Sequence, residues 1–186
     1  MRAGCIASAG RSVGRVRAGG HAVVAGAGLG GLAAAVALQG AGWDVTVLER
    51  AAELAEVGAG VGLWPNAVCA LQLIDPGLVR VLRGRSALQG PAGLRSAGGR
   101  WLVRWDASLM EQRYGSPILL PARPELQGLL AARVPADAVR LGCTVRAARP
   151  AGSRAVVGGV GPVGGFEVEA DWSSRRMGCT VRCGRW

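Results

Sequence analysis

Along the first third of the chain, apolar positions fall in blocks separated by glycine. Residues 22–25 are wholly apolar (Ala-Val-Val-Ala) and predict a short buried strand. A glycine cluster at 26–31 follows, and then a small-residue apolar stretch that predicts a helix over 32–39, stopped by Gly40 and Gly42. The β-branched block at 44–48 predicts a second strand, closing at Glu49 and Arg50. These pieces make a strand–helix–strand unit of about thirty residues. Beyond it, 51–57 reads as a short helical turn and 58–62 as a glycine loop. Pro65 suits the first position of a helix over 66–74, where Ala67, Leu71 and Ile74 share a face, and Pro76-Gly77 is expected to break that helix. Residues 94–96 and 101–105 predict a hairpin around Ala97-Gly98-Gly99, and 118–120 another strand. Pro124 starts a helix with Leu126, Leu129 and Leu130 on one face, and 139–147, 154–157 and 166–170 read as strands. The expected fold class is α/β, with a mixed sheet, a β-hairpin and the strand–helix–strand unit at the N-terminus.

Composition narrows this picture. At 186 residues, 50% hydrophobic and 18% charged, the chain can bury a core of one domain, built from Ala, Val and Leu because only 4% of residues are aromatic. The net charge of +10 invites a nucleic-acid reading, but every one of the 22 cations is Arg and their positions weaken it. Residues 1–20 and 172–186 carry four Arg each and no acid, so eight of the ten charges sit in two tails. The stretch 21–171 holds 14 Arg against all 12 acids and offers no basic face. The expected organisation is therefore a disordered basic extension at 1–20, a body at 21–171 and an aberrant basic tail at 172–186. Five scattered Cys with a single His make neither a zinc site nor a disulfide framework, and a cytoplasmic location is expected. The uncharged stretch 22–43 is long enough for a membrane span, but its six Gly fit strand, turn and buried helix better.

Gly26, Gly28 and Gly31 match G-x-G-x-x-G between a predicted strand and a predicted helix, and Glu49 lies 21 residues past Gly28 at the end of the next strand. Each position has a physical demand. Gly26 allows the tight turn, Gly28 lets backbone approach a pyrophosphate, and Gly31 lets the helix pack on the strand. The helix N-terminus offers free N–H groups to the phosphates, and Glu49 can accept the ribose hydroxyls of an adenosine. An acid there disfavours a 2′-phosphate, leaving NAD or FAD, between which spacing does not choose.

Later motifs carry a resemblance. Gly26–Gly31, Val45-Thr46-Val47-Leu48-Glu49-Arg50, the segment 57–67 with its Gly58, Gly60, Gly62 and Pro65-Asn66-Ala67, and Arg123-Pro124-Glu125-Leu126 together resemble the N-terminal half of a single-component FAD-dependent aromatic monooxygenase of the salicylate-hydroxylase-like group. The resemblance covers about 21–171. It implies a Rossmann-like FAD-binding domain, truncated before the substrate domain, with Gly26, Gly28 and Gly31 at the FAD pyrophosphate, Glu49 at the adenosine ribose and Arg123 at the flavin cofactor. Arg50 is implied as a further FAD contact, Val145 as a neighbour of the adenine, and the loop 60–66 as running beside the isoalloxazine ring. For Arg123 the plain alternative is a surface cation at a helix start, and for Val145 simple core packing. The implied reaction is hydroxylation of a small aromatic substrate, with NADH or NADPH reducing FAD and O₂ supplying the oxygen. The cofactor carries the difficult steps, so no catalytic side chain and no metal ligand is assigned. Asp106, Glu111 and Tyr114 are read as surface. The competing readings are an NAD-binding dehydrogenase fragment and an Arg-rich module that binds nucleic acid through its tails.

The resembled family has a hydrophobic strand and an Asp-Gly motif after a stretch like Glu169-Ala170-Asp171, where this chain has 172–186 with neither strand pattern nor acid. Trp and Met have single codons, so Arg-Met-Gly can read CGG ATG GGG, and a one-base shift turns ATG GGG into GAT GGG, which encodes Asp-Gly. With suitable codons at the degenerate positions, restoring one C after the Asp171 codon converts the whole segment into LVVAADGVHSAVRAL. The expectation is a frameshift that removes the second FAD motif and the substrate domain, which puts the activity of the product itself in question.

Overall fold

The computed structural model describes residues 19–54, 58–88 and 90–171. The tail at 172–186, all of the N-terminal extension except Gly19 and Gly20, and the last residues of the turn expected at 51–57 lie outside the described residues. In chain order the elements are β1 (His21–Ala25), α1 (Leu29–Gly40), β2 (Asp44–Leu48), α2 (Pro65–Ile74), α3 (Pro76–Ser86), β3 (Pro91–Arg95), β4 (Trp101–Asp106), α4 (Ala107–Tyr114), α5 (Arg123–Ala131), a 3-10 turn at Ala136–Ala138, β5 (Val139–Arg140), β6 (Thr144–Ala151), β7 (Arg154–Gly161) and β8 (Gly164–Asp171). Internal contacts divide them into two units, one spanning 58–129 and the other joining 19–54 to 130–171.

In the second of these units, β1, β2 and β5 form a parallel sheet in the order β1-β2-β5, with His21 opposite Asp44 and Ala25 opposite Leu48. Its apolar strands follow from burial on both faces. Val45, Thr46, Val47 and Leu48 are all buried. α1 presents Leu32 and Ala35 as its buried face and ends where Trp43 N–H donates to Leu38 O, after Gly42 has turned the chain at φ +82°. β6, β7 and β8 form an antiparallel sheet, and Val23, Val145 and Phe166 pack against a cluster of Leu48, Cys143 and Val157 that joins the two sheets. Burying a side chain such as Leu48 is worth about 2 kcal/mol. The single strand expected over 139–147 is two strands. Gly142 turns at φ +69° between them, so Val139–Arg140 joins the parallel sheet and Thr144 begins the antiparallel one.

In the unit spanning 58–129, α2 starts at Pro65 as expected, but Pro76-Gly77 opens a helix. The Asp75 carboxylate accepts from Gly77 N (2.7 Å) and Leu78 N (3.0 Å), capping α3, whose Leu78, Val79 and Leu82 are buried. β3 and β4 form the hairpin. α4, which the sequence pattern did not predict, starts under an Asp106 cap and stops at Gly115 with φ +71°. The strand expected at 118–120 is reduced to single bridges, Leu119 pairing with both Leu63 and Ala87. Among the described residues, no helix is long and apolar enough to cross a membrane.

Candidate functional site

The glycine loop joins β1 to α1, and its three motif glycines meet three different constraints. Gly26 sits at φ +99°, a region costly for other residues, and its N–H donates to Leu48 O at 2.8 Å, fixing the end of β1 against the end of β2. Gly31 lies so close to the turn that an added methyl group would stand 1.9 Å from Gly26 O and 3.4 Å from Val24 Cγ1. Gly28 is the opposite case. It is the N-cap of α1 with ordinary extended geometry (φ −70°, ψ 176°), and a methyl group there would meet nothing within 4 Å. The space above it is open. No side chain caps α1 and no acid occupies its first turn, while Leu32 N–H begins the helical bonding by donating to Gly28 O at 2.9 Å. The N–H groups of Leu29, Gly30 and Gly31 therefore lack intrahelical partners, and with the helix dipole they form an anion-binding end beside that space.

Glu49 sits at the end of β2 and bonds directly to this loop. Its Oε2 accepts from Ala27 N at 2.6 Å and its Oε1 from Ala51 N at 2.9 Å. Its backbone is held as firmly, since Glu49 N–H donates to Arg140 O (2.9 Å) and Cys143 N–H donates to Glu49 O (2.7 Å). Each carboxylate oxygen has two lone pairs, so Glu49 can orient the loop and still accept a hydroxyl. Open backbone, unpaired amides and a half-buried acid fit the diphosphate and ribose of an adenine dinucleotide. Arg50, next in the chain, is exposed. Val145 is half-buried; it packs on the Leu48–Cys143–Val157 cluster and also lines an apolar cleft of about 140 Å³ with Val23, Ala25, Ala147, Ala148 and Val157. Val145 thus has a core contact on one side and this cleft on the other.

In the unit spanning 58–129, the second glycine loop and Arg123 come together. Arg123 N–H donates to Ala59 O at 3.2 Å, Val61 N–H to Pro121 O at 2.9 Å, and Leu63 and Leu119 exchange backbone bonds of 2.8 and 3.0 Å. Gly58 lies at φ +146° under the Arg123 stem, where an added methyl group would stand 2.9 Å from Arg123 Cδ. The side chain that opens α5 is exposed and based on the glycine loop. Sequence reasoning singled out both segments but not their contact, because the partners are main-chain atoms that carry no residue signature. The same holds for the Ala27 amide on Glu49.

Of the three residues read as surface, Tyr114 is exposed and Asp106 and Glu111 are half-buried. Asp106 caps α4, accepting from Ser108 N (2.8 Å) and Ser108 Oγ (2.5 Å), and these bonds hold its carboxyl below the usual range. Glu111 pairs with Arg83, and Tyr114 is exposed. Among the described residues, no group of three His, Cys, Asp or Glu side chains could hold a metal ion.

A glycine loop of this geometry between parallel strands, with an acid at the end of the second strand, is the arrangement that dinucleotide-binding α/β proteins use. No protein-family model matches the chain. It is 40% identical over 97 residues to 3-hydroxybenzoate 6-hydroxylase of Polaromonas naphthalenivorans, a match covering 51% of this chain and 24% of that protein. It is also 35% identical over 130 residues to the FAD-dependent monooxygenase OpS4 of Beauveria bassiana, covering 68% of this chain and 29% of that protein. The structure of Klebsiella pneumoniae HpxO complexed with FAD and uric acid superposes with a TM-score of 0.70 at 26% identity, over 81% of this chain and 37% of that one. The homologues and structural neighbours are FAD-dependent monooxygenases, and this chain corresponds to an N-terminal fragment of them. It spans less than a third of the length of these two curated relatives.

Proposed function

We propose that this chain is the FAD-binding portion of an aromatic-ring hydroxylase, with Gly26, Gly28, Gly31 and Glu49 holding the ADP half of FAD. The observation that carries the reading is the open, uncapped start of α1 at Gly28, bordered by a glutamate already bonded to the loop. Glu49 orients the loop and accepts the ribose; the α1 amides take the pyrophosphate; Arg50 and Val145 flank the adenosine end. Arg123, with its stem on Gly58, is assigned to the flavin cofactor on the strength of the resemblance. When bound, the flavin supplies the redox chemistry that activates O₂ toward an electron-rich ring, and the protein orients it. NADH or NADPH as electron donor, a small aromatic substrate and a cytoplasmic location belong to the same reading.

Titration of the purified chain with FAD, followed by flavin fluorescence, tests it. Saturable binding is expected, and Gly28→Ala is expected to weaken it at least about tenfold, or about 1.4 kcal/mol. The thermal midpoint should stay unchanged, because the new methyl group meets nothing in the folded chain. Absence of FAD binding by the parent, or equal affinity in the variant, overturns the assignment.

A further inference from the structure

The glycine loop and Glu49 occupy one end of the parallel sheet, where β1 and β2 finish. At the other end, where His21 and Asp44 begin those strands, lies a second and larger cleft of about 300 Å³. Strands of five residues set the two ends about 16 Å apart. In the wall of this cleft His21 and Thr46 satisfy each other. Glu169 O can only accept, so His21 Nδ1 donates to it at 2.7 Å, while Nε2 meets Thr46 Oγ1 at 2.8 Å. That leaves Gln39, Asp44 and Asp137, whose side chains form no hydrogen bond or ion pair among the described residues. No Arg lines the cleft, in a chain with 22 of them.

α1 adds charge of the same sign. Its last turn, which brings Gln39 to the cleft, holds no basic residue, so the negative end of the helix dipole is uncompensated there. The helix thus turns its positive end to the glycine loop and its negative end to this cleft. Two unpaired carboxylates beside a bare helix C-terminus favour a cation. Trp43 makes a second, independent demand. It is only 8% exposed, it lines the cleft, and its indole Nε1 is buried without a hydrogen-bond partner. A buried donor of this kind is costly to leave unpaired. The Cζ3 end of the ring faces Gly20, where an added methyl group would stand 2.9 Å from it, so the nitrogen lies at the end turned away from Gly20. An indole N–H only donates, and the partner it lacks is an acceptor.

We propose that this cleft is a binding site for a small organic ammonium ion that carries a hydroxyl group beside its nitrogen, an amino alcohol. Asp44 and Asp137 take the ammonium, and the Trp43 N–H donates to the hydroxyl oxygen. Flavin binding plays no part in this site. Isothermal titration of the purified chain with three ring compounds of one size tests both demands: 2-aminocyclohexanol has both groups, cyclohexylamine only the ammonium and cyclohexanol only the hydroxyl. Saturable binding is expected for the two amines, with 2-aminocyclohexanol tighter by about threefold, the worth of one neutral hydrogen bond. Cyclohexanol should not bind measurably. Asp44→Asn and Asp137→Asn, at exposed positions where the thermal midpoint should hold, should each weaken both amines by about threefold. Trp43→Phe should abolish the preference for the hydroxyl compound and leave cyclohexylamine unchanged; should that core variant not fold, the two Asn variants decide alone. Absence of amine binding overturns the assignment, as does equal binding in the Asp44→Asn, Asp137→Asn double variant or a hydroxyl preference that survives Trp43→Phe. Displacement of the amine by FAD overturns it too, since that places the amine at the glycine loop.

Discussion

The two glycine-rich loops, 26–31 and 58–62, use the same residue for different ends. In the first, glycine is required by the chain's own backbone at Gly26 and Gly31, and by a space left clear of protein at Gly28. In the second, Gly58 alone is constrained, by a φ of +146° and by the Arg123 stem above it, while Gly60 and Gly62 have ordinary surroundings. The first loop is a rigid unit whose shape is complete within β1, α1 and β2. The second is shaped around one side chain. A spacing motif can encode the former because all its constraints are local; it cannot encode the latter, whose partner lies sixty-five residues along the chain.

The sharpest way to break this contrast is at Gly31. A methyl group 1.9 Å from a backbone oxygen cannot be relieved by a rotamer change, so the first turn of α1 must move off β1. Gly31→Ala is expected to cost about 3 kcal/mol in urea denaturation, at the upper end for overpacking. A loss under about 1 kcal/mol would mean that the loop yields as easily as the second one.

Gly58→Ala should follow, at about 2 kcal/mol, the cost of holding an alanine at a strained φ. The contact at 2.9 Å is with the flexible stem of Arg123 and adds little. In an Arg123→Ala background the cost should therefore remain nearly whole. Full recovery there would show that the side chain, and not the backbone angle, demands the glycine.

These differences mark what could be read in advance. β1, α1 and β2 were legible because pattern and punctuation agree over thirty residues, and the three glycines and Glu49 fell where the spacing put them. α3 escaped because Pro76-Gly77 looks like a stop; the Asp75 cap makes it a start, and only the two backbone bonds to Asp75 reveal that. α4 escaped because its one buried residue is Ala107, leaving no apolar stripe to detect. β7 and β8 run further than expected, through glycines that resemble a loop. Gly159 pairs within the sheet with Val145 and Phe166, and glycine is needed there because a methyl group would stand 2.2 Å from Thr144 O and 2.7 Å from the Phe166 ring. Close approach of strands, like the hydrogen bond from Ala27 to Glu49, is a property of main-chain geometry and leaves no residue type to recognise.

The smallest effect, and the one with the opposite sign, is expected at Gly60. No positive φ constrains it, it bridges Ala122 in an extended geometry open to any residue, and an added methyl group would meet its nearest atom, Pro121 O, at 3.7 Å, an ordinary contact. Glycine there contributes only freedom to the unfolded chain, which alanine reduces. Gly60→Ala should therefore stabilise the protein by about 0.5 kcal/mol, read as a higher urea midpoint with an unchanged slope. A loss of 1 kcal/mol or more would place the conformational demand on the whole of 58–62 and erase the distinction between a loop built on its own backbone and one built around an arginine.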